Sequence, residues 1–112
     1  MIGSISMRLA LLSTSAFLLS ISSALAQSAD PALGARLAEE HCSSCHAVGA
    51  NPHVKSPNPD APSFALVAHM PSTTELSLKV FLRSSHKNMP NFILSHEEID
   101  SVTSYILGLK KK

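Results

Sequence analysis

Cys42-Ser43-Ser44-Cys45-His46 is the stretch on which the reading of this chain turns. Its spacing has a chemical reason. Two thiols separated by two residues can add across the two vinyl groups on one edge of a porphyrin, and the histidine that follows is placed to ligate the iron from the same side. The pentad therefore reads as a site of covalent haem attachment, with Cys42 and Cys45 forming the thioethers of one haem c and His46 as an iron ligand. Other uses of two close cysteines fit less well. A thioredoxin-like pair belongs at a helix N-terminus within a βαβ pattern, whereas this pair follows a helix in a chain without strand runs. A structural zinc site needs a second ligand pair, yet His53, His69, His86 and His96 are scattered and no further cysteine exists. A disulfide between Cys42 and Cys45 closes too small a loop to add much stability.

Far upstream of the pentad, Arg8 is the only charged residue among the first 26. The apolar run from Leu9 to Leu25 ends in Ala24-Leu25-Ala26, the small-x-small pattern that signal peptidase accepts. The expected organisation is a cleavable signal peptide over 1–26 and one exported, periplasmic domain over 27–112. The run is nearly as long as the roughly 20 apolar residues of a spanning helix. Its five serines, one threonine and the cleavage pattern favour removal, so no membrane span is expected afterwards. Taking Arg8 from the nine basic residues leaves them equal to the eight acidic ones. A neutral domain argues against a nucleic-acid binder or a polybasic membrane protein. Phe64, Phe81, Phe92 and Tyr105 are the only aromatic side chains of the domain, a thin core for its size. Domains this small usually add a staple, and a bound cofactor supplies one.

The rest of the chain reads as helices and one long loop. Asp30-Pro31 starts the first helix, on which Leu33 and Leu37 share a face and Gly34 and Ala38 form a small-residue stripe suited to a close crossing. Ala47 to Pro62, with four prolines, Gly49, Asn51 and Asn58, reads as a loop of a length that is usually functional. After a short apolar run from Phe64 to Ala68, Ser72 with Glu75 predicts a capping box and a helix from about Thr73 to Ser85. Leu76, Leu78, Val80, Phe81 and Leu82 make that helix apolar enough to be buried on more than one side. Ser95 with Glu98 predicts a last helix whose Ile99, Val102, Ile106 and Leu109 share one face beside Tyr105. The fold class is all-α, with three or more helices wrapped around one covalently bound haem and a long Pro-rich loop.

At this point the chain resembles the class I monohaem cytochromes c of the small bacterial periplasmic type. The resemblance spans Asp30 to Leu109. It rests on Gly34 eight positions before Cys42, the pentad, Ala61-Pro62-Ser63-Phe64, Asn88-Met89-Pro90, and the last helix with Tyr105-Ile106. It implies that His46 is the proximal ligand, that the Pro62 carbonyl accepts from the other nitrogen of that ring, and that Met89 is the distal ligand. Two departures stand out. Ala38 sits where the family often has an aromatic at the crossing of the first and last helices, and Ala61 sits where a glycine often precedes the loop proline.

Read from the residues themselves, the distal position has three candidates. Met70 and Met89 both precede proline, and His86 lies in the same short segment as Met89. Met89 is favoured because it follows the apolar helix inside an Asn-Met-Pro-Asn turn stiffened by its proline. With His46 and Met89 on the iron, no axial site is left for oxygen or peroxide. The resemblance then implies a monomeric electron carrier and not an enzyme. Its partners are redox proteins: a dehydrogenase or quinol-oxidising complex as donor, an oxidase or reductase as acceptor. Two other readings remain: a haem enzyme or ligand sensor with an open distal site near His86 and Asn88, and a haem subunit of a larger dehydrogenase. Lys79, Arg83 and Lys87 recur every four residues, as a docking face for an acidic partner or as an ordinary solvated face. His41 adjoins the attachment site as a group able to alter local protonation.

Overall fold

The Asp30 carboxylate accepts from the Ala32 N–H at 2.8 Å while Pro31 fills the first helical position, and together they start α1, Pro31–Leu37. The computed structural model describes residues 28–111, so the expected signal peptide over 1–26 lies outside the described residues. α1 runs directly into a π-helical turn, Ala38–Cys42, that ends in the first cysteine of the pentad. Residue types carry little sign of such a turn, because its wider ring of hydrogen bonds uses the same helix formers.

The apolar run after the loop closes into a short helix, α2, Phe64–His69, because the Ser63 hydroxyl accepts from the Leu66 N–H at 3.2 Å. The next helix, α3, spans Glu75–Leu82 and starts later than Ser72. Thr74 and Ser77 form the reciprocal cap, at 3.1 and 2.8 Å, in place of Ser72 and Glu75. At Ser72 the chain is still turning back over α2. The Thr73 N–H donates to the Met70 carbonyl at 3.0 Å and its hydroxyl donates to the Val67 carbonyl at 2.6 Å. α3 also ends three residues short of Ser85, where Arg83 and Ser84 make tighter bonds back to Val80 and Phe81. Ser95 and Glu98 cap α4, His96–Leu109, as expected. Bonding to the Ser95 N–H and then its hydroxyl holds the Glu98 carboxyl below its ordinary range. That stabilising contact is present above about pH 4.3 and is lost as pH falls through the depressed value.

The core lies where α1 crosses α4. Ile99, Val102, Ile106 and Leu109 are buried along one face of α4, and the last three pack in one cluster with Leu37 and Ala38. A Cβ on Gly34 would stand 2.1 Å from the Ser101 carbonyl oxygen and 2.9 Å from the Tyr105 Cβ, so the crossing requires glycine there. Ala38 is fully buried, so the crossing is closed without an aromatic at that position. The Asp30 N–H donates to the buried Ser101 hydroxyl at 3.1 Å and fastens the start of α1 to α4.

The expectation that α3 is buried on more than one side is corrected. Only Leu78 is buried in it, while Leu76, Val80 and Phe81 are 73%, 57% and 53% exposed. α3 has eight residues and lays a single face on α4, held at its edge by Lys79 reaching Asp100 at 2.9 Å. No helix among the described residues is long and apolar enough to cross a membrane.

Tyr105 ties α4 to the chain just beyond the pentad, its hydroxyl donating to the Val48 carbonyl at 2.7 Å. Tyr105→Phe is expected to lower stability by about 1 kcal/mol at neutral pH. Burial, and then the nearby Glu39 carboxylate, push the phenol above its ordinary value. The contribution is therefore fully present below about pH 10 and disappears as pH rises through the raised value. Urea unfolding of the two proteins at pH 7 and in strong alkali checks this, and an equal difference at both pH values contradicts it.

Candidate haem site

The pentad begins where the π turn ends. The N–H groups of Cys45 and His46 both donate to the Cys42 carbonyl, at 3.1 and 2.9 Å, so the chain reverses tightly through Ser43-Ser44. The Ser43 hydroxyl donates back to the Glu39 carbonyl and braces that turn. Cys42 and Cys45 are free thiols, both partly buried. Burial, with the Cys45 sulfur adding to it, pushes the Cys42 thiol up to about 11, so it is a neutral S–H at physiological pH.

His46 is held by the far end of the Pro-rich loop. Its Nδ1 lies 2.6 Å from the Pro62 carbonyl oxygen, which can only accept, so Nδ1 carries the proton. Nε2 then keeps its lone pair, the form in which an imidazole binds a metal. Phe64 backs the ring, with centroids 5.3 Å apart and a tilt of 49°.

The loop itself is a clamp on the pentad. The Ser56 hydroxyl accepts from the Ala47 N–H at 3.0 Å, the Asn58 N–H donates to the Cys45 carbonyl at 3.1 Å, and the Phe64 N–H donates to the Ala47 carbonyl at 2.9 Å. Sequence reasoning missed Ser56 and Asn58. The one local signal was Asn58 before Pro59, whose side chain folds onto the Asp60 N–H at 3.0 Å as an Asx turn does.

An apolar cleft opens beside Cys42. Leu37 and Cys42 contribute to its wall from the first helix and the π turn, Leu82 from the end of α3, Met89 and Phe92 from the following turn, and Val102 from α4. Cys45, His46 and Pro62 are not part of that wall and are joined to it through Cys42. Met89 is half-buried, and its N–H donates to the His86 carbonyl at 3.0 Å. Lys87 within that turn has φ of 48°, the left-handed region that a non-glycine residue adopts at a cost of about 1 kcal/mol.

The other candidate ligands lie elsewhere. Met70 is exposed at the end of α2 and contributes nothing to the cleft. His86 is also outside it, edge-on to Phe81 with centroids 5.0 Å apart. Phe81 is half-exposed in that pair and does not line the cleft. Two thiols free to form thioethers, an imidazole with its tautomer fixed, and a thioether in an apolar cleft fit the donor set of a covalently held haem.

The basic row divides. Lys79 is paired with Glu75 at 2.6 Å and Asp100 at 2.9 Å, and those bonds hold its ammonium above the ordinary lysine value. Arg83 and Lys87 are exposed and make no ion pair among the described residues. No acidic residue occurs between Leu76 and His96.

A family model described as cytochrome C oxidase, cbb3-type, subunit III matches residues 29–106, from just before α1 to within α4. No curated protein and no solved structure matches the chain.

Proposed function

Since the chain belongs to the c-type cytochrome family of the cbb3-type oxidase subunit III, we propose that it is a periplasmic carrier of single electrons, with one haem joined through Cys42 and Cys45 and ligated by His46 and Met89. Haem-based electron transfer is the general function of such a domain. When bound, the haem supplies an iron that alternates between ferric and ferrous states. The chain's own residues do the rest. The Pro62 carbonyl fixes His46 as a ligand with its Nε2 lone pair available. The soft sulfur of Met89 favours the ferrous state and raises the potential. Leu37, Leu82, Phe92 and Val102 keep water from the cleft.

The observation that carries this reading is the placing of Met89 in one cleft wall with Cys42, while Met70 and His86 lie outside it. Absorption spectra of the exported protein test it. A weak far-red ferric band from sulfur ligation, with no carbon monoxide binding to the reduced protein, is the expected result. High-spin iron or ready carbon monoxide binding overturns it in favour of an enzyme or sensor. Mass spectrometry checks the attachment independently, because an unmodified chain from cells competent for cytochrome c maturation contradicts it.

The donor is a dehydrogenase or quinol-oxidising complex and the acceptor an oxidase or reductase. The lack of acidic residues in the segment from Leu76 to His96 that carries Arg83 and Lys87 supports docking to an acidic partner surface. Arg83→Gln with Lys87→Gln is expected to slow association several-fold at low salt and to flatten its ionic-strength dependence. Lys79→Gln combined with Asp100→Asn removes an ion pair without changing the net charge of that edge and is expected to leave the dependence nearly unchanged. An equal effect of the two double substitutions contradicts the assignment. A second reading, a fixed haem subunit of a larger oxidoreductase, is favoured by the family's description and by Ile93, which is 99% exposed on the turn after Met89.

A further inference from the structure

We infer that His41 is a positioning residue for the distal side of the site: its ring, packed on Phe92, holds the Met89 turn in place. The inference rests on the reading of Met89 as the distal ligand.

The turn has few other anchors. Among the described residues, every hydrogen bond made between Ser85 and Leu94 is local: the Met89 N–H to the His86 carbonyl at 3.0 Å, and His86 Nδ1 to the Ser84 carbonyl at 3.3 Å. None reaches another element. The position of Met89 is therefore set by packing, and Phe92, three residues further on, makes the aromatic contact. Its ring centroid lies 5.9 Å from that of His41, with a tilt of 36°.

His41 is well placed to act as that anchor. It stands on the π turn immediately before Cys42, and Leu37, His41 and Cys42 all line the cleft with Met89 and Phe92. The ring contact thus joins the turn that carries the first thiol to the turn that carries the thioether. The role is one of shape. A ring of similar size without a titrating nitrogen serves equally well, which separates this inference from any effect of local protonation.

Exogenous imidazole binds the ferric protein only when Met89 has left the iron, so its apparent affinity reports the population of the open turn. An aromatic contact of this kind is worth a factor of roughly three to ten in that population. His41→Ala is expected to raise the apparent affinity for imidazole by that factor and to lower the temperature at which the far-red sulfur band fades. His41→Phe keeps both within about twofold of the parent protein. Phe92→Ala reproduces the effect of His41→Ala, and the double variant adds little to either single one. Should His41→Ala fail to mature, Phe92→Ala against Phe92→Tyr measures the same contact from its other side. A parent protein showing the sulfur band, with imidazole affinity unmoved in His41→Ala and Phe92→Ala, overturns the positioning role. A parent protein without the band overturns the assignment of Met89 itself.

Discussion

Met89→Ala is expected to abolish the far-red sulfur band, open the reduced protein to carbon monoxide, and lower the reduction potential by on the order of 100 mV or more, within the roughly 0.8 V over which axial ligands set haem potentials. The effect is large because neither of the other candidate distal ligands lies in the cleft to replace the thioether. His86 faces Phe81 outside the cleft, and Met70 sits at the exposed end of α2. Attachment survives the substitution, since Cys42, Cys45 and the bond from His46 to Pro62 are untouched. The loss therefore separates into two readouts. Mass spectrometry stays unchanged while the optical and redox properties shift. Met70→Ala is the matched control, expected to leave spectrum and potential as they were. A sulfur band retained in Met89→Ala and lost in Met70→Ala reverses the assignment.

Gly34→Ala is expected to produce the largest loss of stability of the glycine-to-alanine substitutions among the described residues. The new Cβ meets the Ser101 carbonyl oxygen at 2.1 Å and the carbonyl carbon at 2.5 Å, and backbone atoms cannot swing aside as a side chain can. α1 and α4 must part, loosening the burial of Leu37, Val102 and Ile106. Overpacking of this kind costs about 1–3 kcal/mol, with the upper end fitting a backbone obstacle. Alanine's better helix propensity offsets about 1 kcal/mol of it. A net loss of about 2 kcal/mol corresponds to a fall in melting temperature of roughly 10 to 15 °C for a domain of this size. Two glycines with open space around them bracket the effect. Gly49→Ala is expected to change stability by less than about 0.5 kcal/mol. Gly108→Ala, inside α4, is expected to raise it by up to about 1 kcal/mol. Thermal unfolding of the three haem-loaded variants checks the order, and Gly34→Ala melting with the parent protein contradicts the crossing geometry.

The pentad on which the proposed haem attachment rests is readable in the sequence because its chemistry is local. Two thiols and an imidazole at fixed spacing address one edge of one porphyrin, whatever the rest of the chain does. The caps of α1 and α4 were legible for the same reason, since an Asp or Ser side chain satisfies N–H groups two or three residues away. The apolar face of α4 and the small-residue stripe of α1 followed from helical periodicity alone.

The start of α3 shows where local reasoning stops. Ser72 with Glu75 and Thr74 with Ser77 are both acceptable caps by spacing. The choice fell to Thr73, whose hydroxyl bonds Val67 on α2 and keeps the chain turning past Ser72. Lys79 likewise reads as one of three exposed cations until α3 lies on α4, where Asp100 captures it.

By itself, then, the sequence determined the all-α class and the starts of α1 and α4, and it carries the motif on which the proposed haem attachment rests, because each depends on groups within a few residues of one another. Only the tertiary structure decided which methionine enters the cleft beside Cys42, which cations stay free, that Ser56 and Asn58 clamp the pentad, and that His41 meets Phe92. These pairings join segments from nine to more than fifty residues apart in the chain. They are fixed by how the helices cross, and neither residue of a pair carries a mark of its partner.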